Sequence, residues 1–350
     1  MANLFDVQNL TAGITKNGKY FKILDNINFS IDEGEIAGLA GESGCGKSMT
    51  ALSILNLLPQ AIKITSGRII YNGIDLTSLS EKEMCKIRGS EISIIFQDSS
   101  LALNPTMKAG KQIAETLELA QKYHTFDSRN KEEIKTKTLE ILNALGFDDP
   151  QKIFDAYPHQ LSGGMCQRVM TAIAAVRQPK ILLADEPSSS LDEESQKRCL
   201  SLLLEMNRNN KMSLLVISHD LSIIQQFCSR FIIMYAGKVV EEGPAQALFS
   251  PLHPYTQALI KALPNKDKRG VSLENIPGKV PSIEDQLNGC PFAPRCSKAQ
   301  NICKESFPPV KEFDNRKVHC YYPIESKKLT TEYLQRSFQH TEFHGGESIE

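Results

Sequence analysis

The sequence predicts an α/β fold with a mainly parallel sheet, from two observations. Apolar runs without polar alternation are typical of parallel strands buried on both faces, and the chain has four: EIAGLAG (35–41), ISIIF (92–96), ILLAD (181–185) and LLVISHD (214–220). Helical patterns lie between or after these runs, at 47–57, 131–145, 162–177 and 193–209. Strands that alternate with helices indicate βαβ units and hence a parallel sheet.

Two further segments predict an antiparallel sheet that packs against this core. INFSIDEGEI alternates apolar and polar residues and then turns, and SGRIIYNGIDL (66–76) alternates in the same way. Asn72-Gly73 within the second segment is a strong hairpin signal, because both residues tolerate the positive φ angles of a type I′ turn.

Composition argues against several classes of protein. The net charge is −1, so no global basic field favours nucleic acid as a partner. No apolar run approaches the length of about 18 residues that a membrane helix needs. The start, MANLFDVQNL, lacks a basic region typical of a signal peptide. We expect a cytosolic protein that does not bind nucleic acid.

Proline and turn residues become frequent after residue 250. We therefore expect a larger domain over 1–250, a small proline- and cysteine-rich C-terminal module over 251–323, and a polar, flexible tail over 324–350.

GESGCGKS (41–48) places three glycines among eight residues, between a predicted strand and a predicted helix. This is the context of a phosphate-binding loop (P-loop), whose backbone N–H groups and helix N-terminus surround a phosphate. Lys47 is expected to contact the β- and γ-phosphates, and the Ser48 hydroxyl to hold Mg²⁺. The predicted nucleoside triphosphate site comprises Gly41, Glu42, Ser43, Gly44, Cys45, Gly46, Lys47 and Ser48.

Two adjacent carboxylates, Asp185 and Glu186, end the predicted strand ILLAD. Ligands of open α/β sheets bind at the carboxyl ends of strands. Asp185 is expected to hold Mg²⁺ through its water shell, and Glu186 to act as the general base on the attacking water. An acidic pair alone would suggest a surface turn, but together with a P-loop it predicts hydrolysis.

A second glycine turn opens another helix at Ser162, Gly163 and Gly164 in LSGGMCQR. One nucleotide does not need two phosphate-binding helix ends from a single chain. The two elements fit a head-to-tail dimer, in which Ser162 and Gly164 of one subunit close on the γ-phosphate held by the other.

Six motifs in this order resemble those of ABC transporter ATP-binding subunits: GESGCGKS, Gln97 in IIFQD, LSGGM, ILLADEP, Asp192 in SSSLD and His219 in VISHD. The resemblance implies a P-loop ATPase fold with a helical subdomain at about 98–177, which binds ATP and Mg²⁺. It also implies that Gln97 senses the γ-phosphate and Mg²⁺. Asp192, with Ser162, Gly163 and Gly164, would act across the dimer, and His219 would contact the γ-phosphate.

Members of this family usually stack an aromatic ring on the adenine, from an early loop. Ile14 lies near that place in this chain, and Tyr20 and Phe21 lie slightly later. Tyr20 is the predicted stacking residue, and a role in the core is the alternative for it.

After residue 245 the chain resembles the C-terminal extension of oligopeptide/dipeptide permease ATPases, of the D type, through HPYTQALIKALP, IPGKVPS and GCPFAPRCSKAQNIC. The resemblance implies a peripheral subunit on the cytoplasmic face of the cell membrane. Its partners would be a similar but non-identical ATPase subunit, two transmembrane permease subunits and an extracytoplasmic solute-binding protein. Nickel and metal-chelate importers share this ATPase type, so metal chelates remain an alternative to peptides. A soluble, non-transport ABC ATPase is a further alternative.

Four cysteines lie within 31 residues of the predicted C-terminal module, spaced C-x5-C-x6-C-x16-C: Cys290, Cys296, Cys303 and Cys320. Disulfides are a poor explanation in a cytosolic protein, and a metal would stabilise a module with little core. Zinc usually prefers closer CxxC pairs. The wider gaps favour a [4Fe–4S] cluster, with Zn²⁺ or plain thiols as alternatives.

Cys45 and Cys166 each lie at a predicted helix N-terminus, beside Lys47 and Arg168 respectively. Such surroundings lower the pKa of a thiol. The sequence therefore predicts that an alkylating reagent inactivates the protein and that MgATP protects it.

Overall fold

The computed structural model describes residues 3–122, 130–189, 191–263, 275–285 and 287–325. These residues form two compact units. The first unit contains residues 3–31 and 36–77 and the described residues from 218 onward, and the second contains 32–35 and the described residues of 78–217. The predicted flexible tail lies outside the described residues from position 326 onward.

The strands of the described residues are β1 (Phe5–Lys16), β2 (Lys19–Ile31), β3 (Ile36–Ala40), β4 (Ile62–Tyr71), β5 (Ile74–Asp75), β6 (Ile92–Ile95), β7 (Ile181–Asp185), β8 (Ser213–Ile217), β9 (Arg230–Tyr235), β10 (Lys238–Pro244), β11 (Lys311–Phe313) and β12 (Arg316–Val318). The α-helices are α1 (Lys47–Ile54), α2 (Glu81–Ile87), α3 (Ser99–Ala102), α4 (Ala109–Lys122), α5 (Lys131–Ala144), α6 (Pro150–Asp155), α7 (Gly163–Ala175), α8 (Glu193–Asn210), α9 (Leu221–Phe227), α10 (Pro254–Ala262) and α11 (Asn301–Glu305).

The first unit contains an antiparallel sheet with strand order β2-β1-β4-β5. Its β4–β5 hairpin turns at Asn72 and Gly73, whose φ angles are 45° and 79°. Both angles are positive, as a type I′ turn requires. The predicted antiparallel sheet and its turn are therefore confirmed.

The same unit contains β3 and β9 as a parallel pair, followed by β10, β12 and β11 in antiparallel order. Every residue of β3 is buried, as expected of a parallel strand covered on both faces. The P-loop follows β3 directly, so this strand positions it.

The second unit contains the parallel strands β6, β7 and β8, and β7 lies between the other two. Every residue of β7 and β8 is buried. Helices of this unit pack around a separate apolar cluster, which contains Leu103, Ala109, Ile113, Leu142, Leu145, Phe147, Ile153, Cys166, Val169 and Ala172. The predicted α/β class is confirmed.

Two predicted elements each end three residues early in the structure, for local reasons. The helix predicted over 47–57 ends at Ile54, because Asn56 takes the left-handed conformation (φ 51°) and the Leu57 N–H donates to the Leu52 carbonyl (2.8 Å). The strand predicted to reach 220 ends at Ile217, because Asp220 accepts a hydrogen bond from the Ser222 N–H and caps α9.

Among the described residues, none of the helices combines the length and the apolar character that crossing a membrane requires.

Candidate functional site

The P-loop lies in the first unit, between β3 and α1. A Cβ atom at Gly41 would lie 2.2 Å from the Met234 carbonyl oxygen, so a side chain does not fit there. Gly44 has a φ of 80° with open space around it, and it leaves the outer side of the loop accessible to a ligand. The glycines of the P-loop therefore have two roles: Gly41 lets the inner side pack tightly, and Gly44 leaves the outer side open.

Lys47 is buried, and its ammonium group donates to the carbonyl oxygens of Gly41 (2.8 Å) and Glu42 (3.1 Å). These bonds place the lysine side chain across the P-loop, beside the predicted phosphate site. Carbonyl oxygens are weaker partners for an ammonium group than phosphate oxygens. We therefore expect the ammonium group to exchange these carbonyls for the phosphates of a bound nucleotide.

A cavity of about 330 Å³ lies beside the P-loop, within the first unit. Gly44 borders it together with Tyr20 and Ile23 of β2 and residues of the segment 281–291. Tyr20 packs over Gly13, and its hydroxyl pairs with the Thr65 hydroxyl at 2.9 Å. The predicted adenine-stacking residue thus lies next to a space that adjoins the P-loop.

Asp185 and Glu186 lie in the second unit, at the carboxyl end of β7, where both are at least nine-tenths buried. Glu186 has a φ of 53°, which is unusual for a residue with a side chain. Its N–H donates to the Ile217 carbonyl at 2.9 Å, which holds this conformation against β8. Left-handed residues of this kind cost of order 1–3 kcal/mol and often occur at functional sites.

Gln167 links the glycine turn of α7 to Glu186. The Gln167 side chain, in a residue that is 1% exposed, donates from Nε2 to the Glu186 carbonyl oxygen at 2.8 Å. The Ser189 hydroxyl also donates to this oxygen, at 3.2 Å. The sequence analysis missed Gln167 because glutamine inside a helix gives no signal of its own; its position four residues after Gly163 was the only available indication.

The other predicted residues of the second unit lie at exposed turns. Ser162 caps α7 by accepting a hydrogen bond from the Met165 N–H (3.3 Å), and a Cβ atom at Gly163 would meet nothing within 4 Å. Asp192 caps α8 through the Ser195 N–H (3.0 Å) and hydroxyl (2.9 Å), and these bonds lower the pKa of its carboxyl group. Gln97 is exposed directly after β6. All four remain accessible to a partner molecule.

His219 lies in the first unit, between Ser218 and Asp220, and is exposed. The Ser218 N–H donates to the Leu39 carbonyl of β3 at 3.1 Å. This bond fixes the chain next to His219 to the strand that leads into the P-loop.

The predicted lowering of the Cys45 pKa is wrong. Cys45 is fully buried, and burial raises the pKa of its thiol above the ordinary value although Lys47 opposes the shift. Cys166 is 2% exposed, and its thiol contacts the Pro158 carbonyl at 3.5 Å. Both thiols therefore lack the accessibility that an alkylating reagent needs.

The four cysteines of the C-terminal segment border one small apolar cavity of about 20 Å³, together with His253 and Phe292. Burial raises the pKa of the Cys290 thiol to about 12 and that of Cys320 to about 11. Within the part of the chain that the structure describes, no group of three or more His, Cys, Asp or Glu side chains is arranged to hold a metal ion. The predicted iron–sulfur cluster is therefore not supported by a preformed ligand set.

His253 borders this cavity with a buried imidazole. The residue is 1% exposed, and its Nδ1 accepts the Tyr255 N–H at 3.0 Å. Burial lowers the pKa of its imidazole to about 3, although a hydrogen bond to the His319 backbone opposes the shift.

Two known families match the chain. The family described as ABC transporter matches residues 24–189, and the family described as oligopeptide/dipeptide transporter, C-terminal region, matches residues 240–303.

Among curated proteins, the dipeptide transport ATP-binding protein DppD of Escherichia coli (strain K12) is 40% identical over 324 residues, which cover 92% of this chain and 97% of that protein. DppD of Bacillus subtilis (strain 168) is 39% identical over 324 residues, which cover 92% of this chain and 95% of that one.

Solved structures with a similar fold include those of MJ0796 and cbiO1. The ATP-binding cassette MJ0796, described as a dimeric post-hydrolysis state bound to ADP and phosphate, superposes with a TM-score of 0.62 at 30% identity, over 69% of this chain and 99% of that one. Clostridium perfringens cbiO1, described as part of the ABC transporter complex cbiONQ, superposes with a TM-score of 0.58 at 26% identity, over 71% of this chain and 91% of that one.

Proposed function

This chain belongs to the ABC transporter family of ATP-binding proteins, and we propose that it hydrolyses ATP to power the import of dipeptides or oligopeptides. The observation that carries the proposal is its 40% identity, over nearly the whole of both chains, to a protein described as a dipeptide transport ATP-binding protein. The match of residues 240–303 to the oligopeptide/dipeptide transporter C-terminal region supports the same class of solute.

Each half of the chemistry has its own set of residues. Gly41 to Ser48 would bind the phosphates of ATP, Ser48 and Asp185 would hold Mg²⁺, and Tyr20 would stack on the adenine. Gln97 would contact Mg²⁺ and the γ-phosphate. Glu186 would accept a proton from the attacking water, with His219 holding the γ-phosphate. The buried carboxylates at the end of β7 and the accessible Gly44 support these roles.

Hydrolysis would require two ATPase subunits. The exposed turn at Ser162, Gly163 and Gly164, with Asp192, would complete the ATP site of a partner subunit, in a head-to-tail dimer. MJ0796, whose structure is described as dimeric, is a relative by fold that supports this arrangement. ATP would close the dimer and hydrolysis would reopen it.

The remaining partners follow from the transporter class. We propose that the second subunit is a similar, non-identical ATPase, and that the pair lies on the cytoplasmic face of the membrane against two permease subunits. A binding protein outside the membrane would deliver the solute. Residues 1–250 would form the ATPase domain, with a helical subdomain at about 98–177, and 251–323 the C-terminal module.

Uptake by cells tests the solute directly. A strain that lacks this gene is supplied with the wild-type chain, with Lys47→Ala or with a control, Lys304→Gln, at an exposed position. Uptake of a radiolabelled dipeptide should be restored by the wild type and the control but not by Lys47→Ala. If nickel or metal-chelate uptake alone responded, the metal-chelate alternative would hold. If neither responded while ATPase activity was intact, a non-transport ATPase would be indicated.

We further propose that the four-cysteine cavity holds a [4Fe–4S] cluster, with Zn²⁺ or no metal as alternatives. The support for this proposal is that four thiols border one cavity, since four thiolates are the donor set that such clusters use. The cavity of about 20 Å³ is small, so the cysteine side chains would have to reorient around the cluster. When bound, the cluster would supply a cross-link between separate segments of the module.

Metal analysis separates the three alternatives. Protein purified without oxygen should contain iron and acid-labile sulfide in about equal amounts, and Cys303→Ser should lose both. Cys85→Ser is the matched control, because Cys85 is exposed and lies outside the cavity. Zinc without sulfide would support the zinc alternative, and a metal-free wild type would contradict both.

A further inference from the structure

Arg295 and Glu42 form an ion pair between the C-terminal segment and the P-loop, within the first unit. Arg295 Nη1 donates to Glu42 Oε2 at 2.7 Å and Nη2 donates to Oε1 at 3.1 Å. The Arg295 side chain is 4% exposed and that of Glu42 is 23% exposed. Two parallel charge-assisted bonds of this kind fix both the position and the orientation of a carboxylate.

Arg295 is itself held rigidly. Its Nε donates to the Pro277 carbonyl (2.8 Å) and its Nη1 donates to the Tyr235 hydroxyl (3.1 Å). Below it, the rings of Tyr235, Tyr255 and Phe292 pack together at centroid distances of 4.5 to 5.3 Å. Burial alone would lower the pKa of Arg295, but the bonds to Glu42 and Tyr235 outweigh it and raise the pKa. The guanidinium therefore stays charged and fixed.

Glu42 is also held by its main chain. Its N–H donates to the Tyr255 hydroxyl at 2.7 Å, and its carbonyl oxygen accepts from Lys47 Nζ at 3.1 Å. Bound phosphates would draw Lys47 away from this carbonyl. The Cys45 N–H also donates to this carbonyl, at 3.3 Å. Tyr255 and Arg295, which both follow residue 250, would then hold Glu42 from outside the P-loop.

The charge of Glu42 matters as much as its position. A carboxylate in a loop that binds three phosphates repels them unless a cation neutralises it, and the repulsion grows with the charge of the nucleotide. Arg295 supplies that cation from a segment far away in sequence. The cavity next to Gly44 is bordered by Pro281, Ser282 and Pro291, so the same segment approaches the loop a second time.

We infer that Arg295 is a positioning residue of the ATP site, and that the C-terminal module thereby sets the affinity of the P-loop for nucleotide. This inference rests on the proposed function, because it assumes that the P-loop binds ATP. The module is then required for the first step of the ATPase cycle, in addition to any role in assembly.

Equilibrium binding to the full chain tests the inference. Dissociation constants for ATP, ADP and adenosine are measured by calorimetry. Mg²⁺ is left out of the buffer so that ATP is not hydrolysed. Arg295→Gln should raise the Kd for ATP about ten-fold, within the usual range of coupling between sites. The rise in Kd should be smaller for ADP and absent for adenosine, because it arises from repulsion between the phosphates and the Glu42 carboxylate once Arg295 no longer neutralises it. Arg295→Lys keeps the positive charge, so its Kd for ATP should lie between those of the wild type and Arg295→Gln.

A double variant and a matched control separate positioning from folding. Glu42→Gln combined with Arg295→Gln removes the repelling carboxylate, and should bind ATP more tightly than Arg295→Gln alone. Arg316→Gln is the control, because Arg316 is a similarly buried arginine that contacts Glu241 and the Ser250 carbonyl and not the P-loop. It should leave the Kd for ATP within two-fold of wild type. If Arg295→Gln does not fold, Arg295→Lys and Glu42→Gln carry the test.

Three results would overturn the inference while leaving the proposed function intact: an unchanged Kd for ATP in both Arg295 variants, an equal loss for ATP and adenosine, or an equal loss in Arg316→Gln. A wild-type chain that bound no nucleotide would instead overturn the proposed function, and this inference with it.

Discussion

Gln167→Leu should slow ATP hydrolysis while changing the stability of the protein only slightly. Leucine is similar to glutamine in volume, so the substitution removes the 2.8 Å hydrogen bond to the Glu186 carbonyl without opening a large cavity. A buried hydrogen bond contributes about 1 kcal/mol, and an acceptor left without a partner costs about 1–3 kcal/mol. The Ser189 hydroxyl still donates to this oxygen at 3.2 Å, so we expect a loss of about 1 kcal/mol.

The catalytic effect should exceed the effect on stability. Glu186 has a φ of 53°, and losing one restraint allows it to relax toward an ordinary conformation and to move its carboxylate. A displacement of about 1 Å at a reacting group can lower a rate about 100-fold. We therefore expect kcat to fall by about 10- to 100-fold with little change in the KM for ATP.

Steady-state ATPase assays and urea unfolding, run on the same preparations, measure both quantities. Thr171→Val is the matched control, since Thr171 lies one turn further along α7, is fully buried, and donates its hydroxyl to the Gln167 carbonyl without contacting Glu186. It should keep a kcat close to wild type. If Gln167→Leu had normal kcat, or if Thr171→Val lowered kcat equally, the positioning role of Gln167 would be refuted.

Three further predictions follow from local geometry and charge. Gly41→Ala should lower the free energy of unfolding in urea by about 2 kcal/mol, because its Cβ would lie 2.2 Å from a carbonyl oxygen. Gly163→Ala is the control and should cause no such loss, because a Cβ there meets nothing within 4 Å. Equal losses in both variants would contradict the close packing at Gly41. Ser162→Arg should abolish ATPase activity of the assembled transporter, because Ser162 is exposed. Tm should fall only by the small amount expected from losing the α7 cap, about 1 kcal/mol in stability. Normal activity would argue against contact with a partner's ATP. Burial alone would raise the pKa of Asp25, but its bonds to two lysines hold the pKa below the ordinary value of 3.8. Its stabilising contribution is therefore present above about pH 4 and is lost as pH falls through its folded-state pKa. Asp25→Asn should flatten this part of a curve of stability against pH, and an unchanged curve would contradict the lowered pKa of Asp25.

The local parts of the fold could be predicted from the sequence because their causes are local. Apolar runs fixed the strands at 181–185 and nearby, and Asn72-Gly73 identified a turn that both residues adopt with positive φ. The P-loop was identified from its glycine spacing, its Lys47 and Ser48, and its place between a predicted strand and a predicted helix. Its glycines are needed because one side of the loop is closely packed and the other is open to a ligand. The long strand β1 was missed because its pattern, with buried residues in succession at Leu10, Thr11 and Ala12, departs from simple alternation.

The relations between distant segments could not be predicted. Arg295 and Glu42 are 253 positions apart, and no pattern in either segment signals the other. The left-handed conformation of Glu186 and its bond from Gln167 also depend on packing of α7 near β7. The number and spacing of the cysteines identified them as a candidate site. Their spacing could not predict that they border one cavity together with His253.

Solute-stimulated ATPase activity of the assembled transporter tests the central proposal most directly. The chain is purified with its partner ATPase and permease subunits, and hydrolysis is measured with and without dipeptide-loaded binding protein, for the wild type and Glu186→Gln. We predict that the dipeptide stimulates the wild type and that Glu186→Gln lowers the rate by about 100-fold or more while ATP still binds. Hydrolysis by Glu186→Gln at the wild-type rate, or a wild type that does not respond to dipeptide, would contradict the proposal.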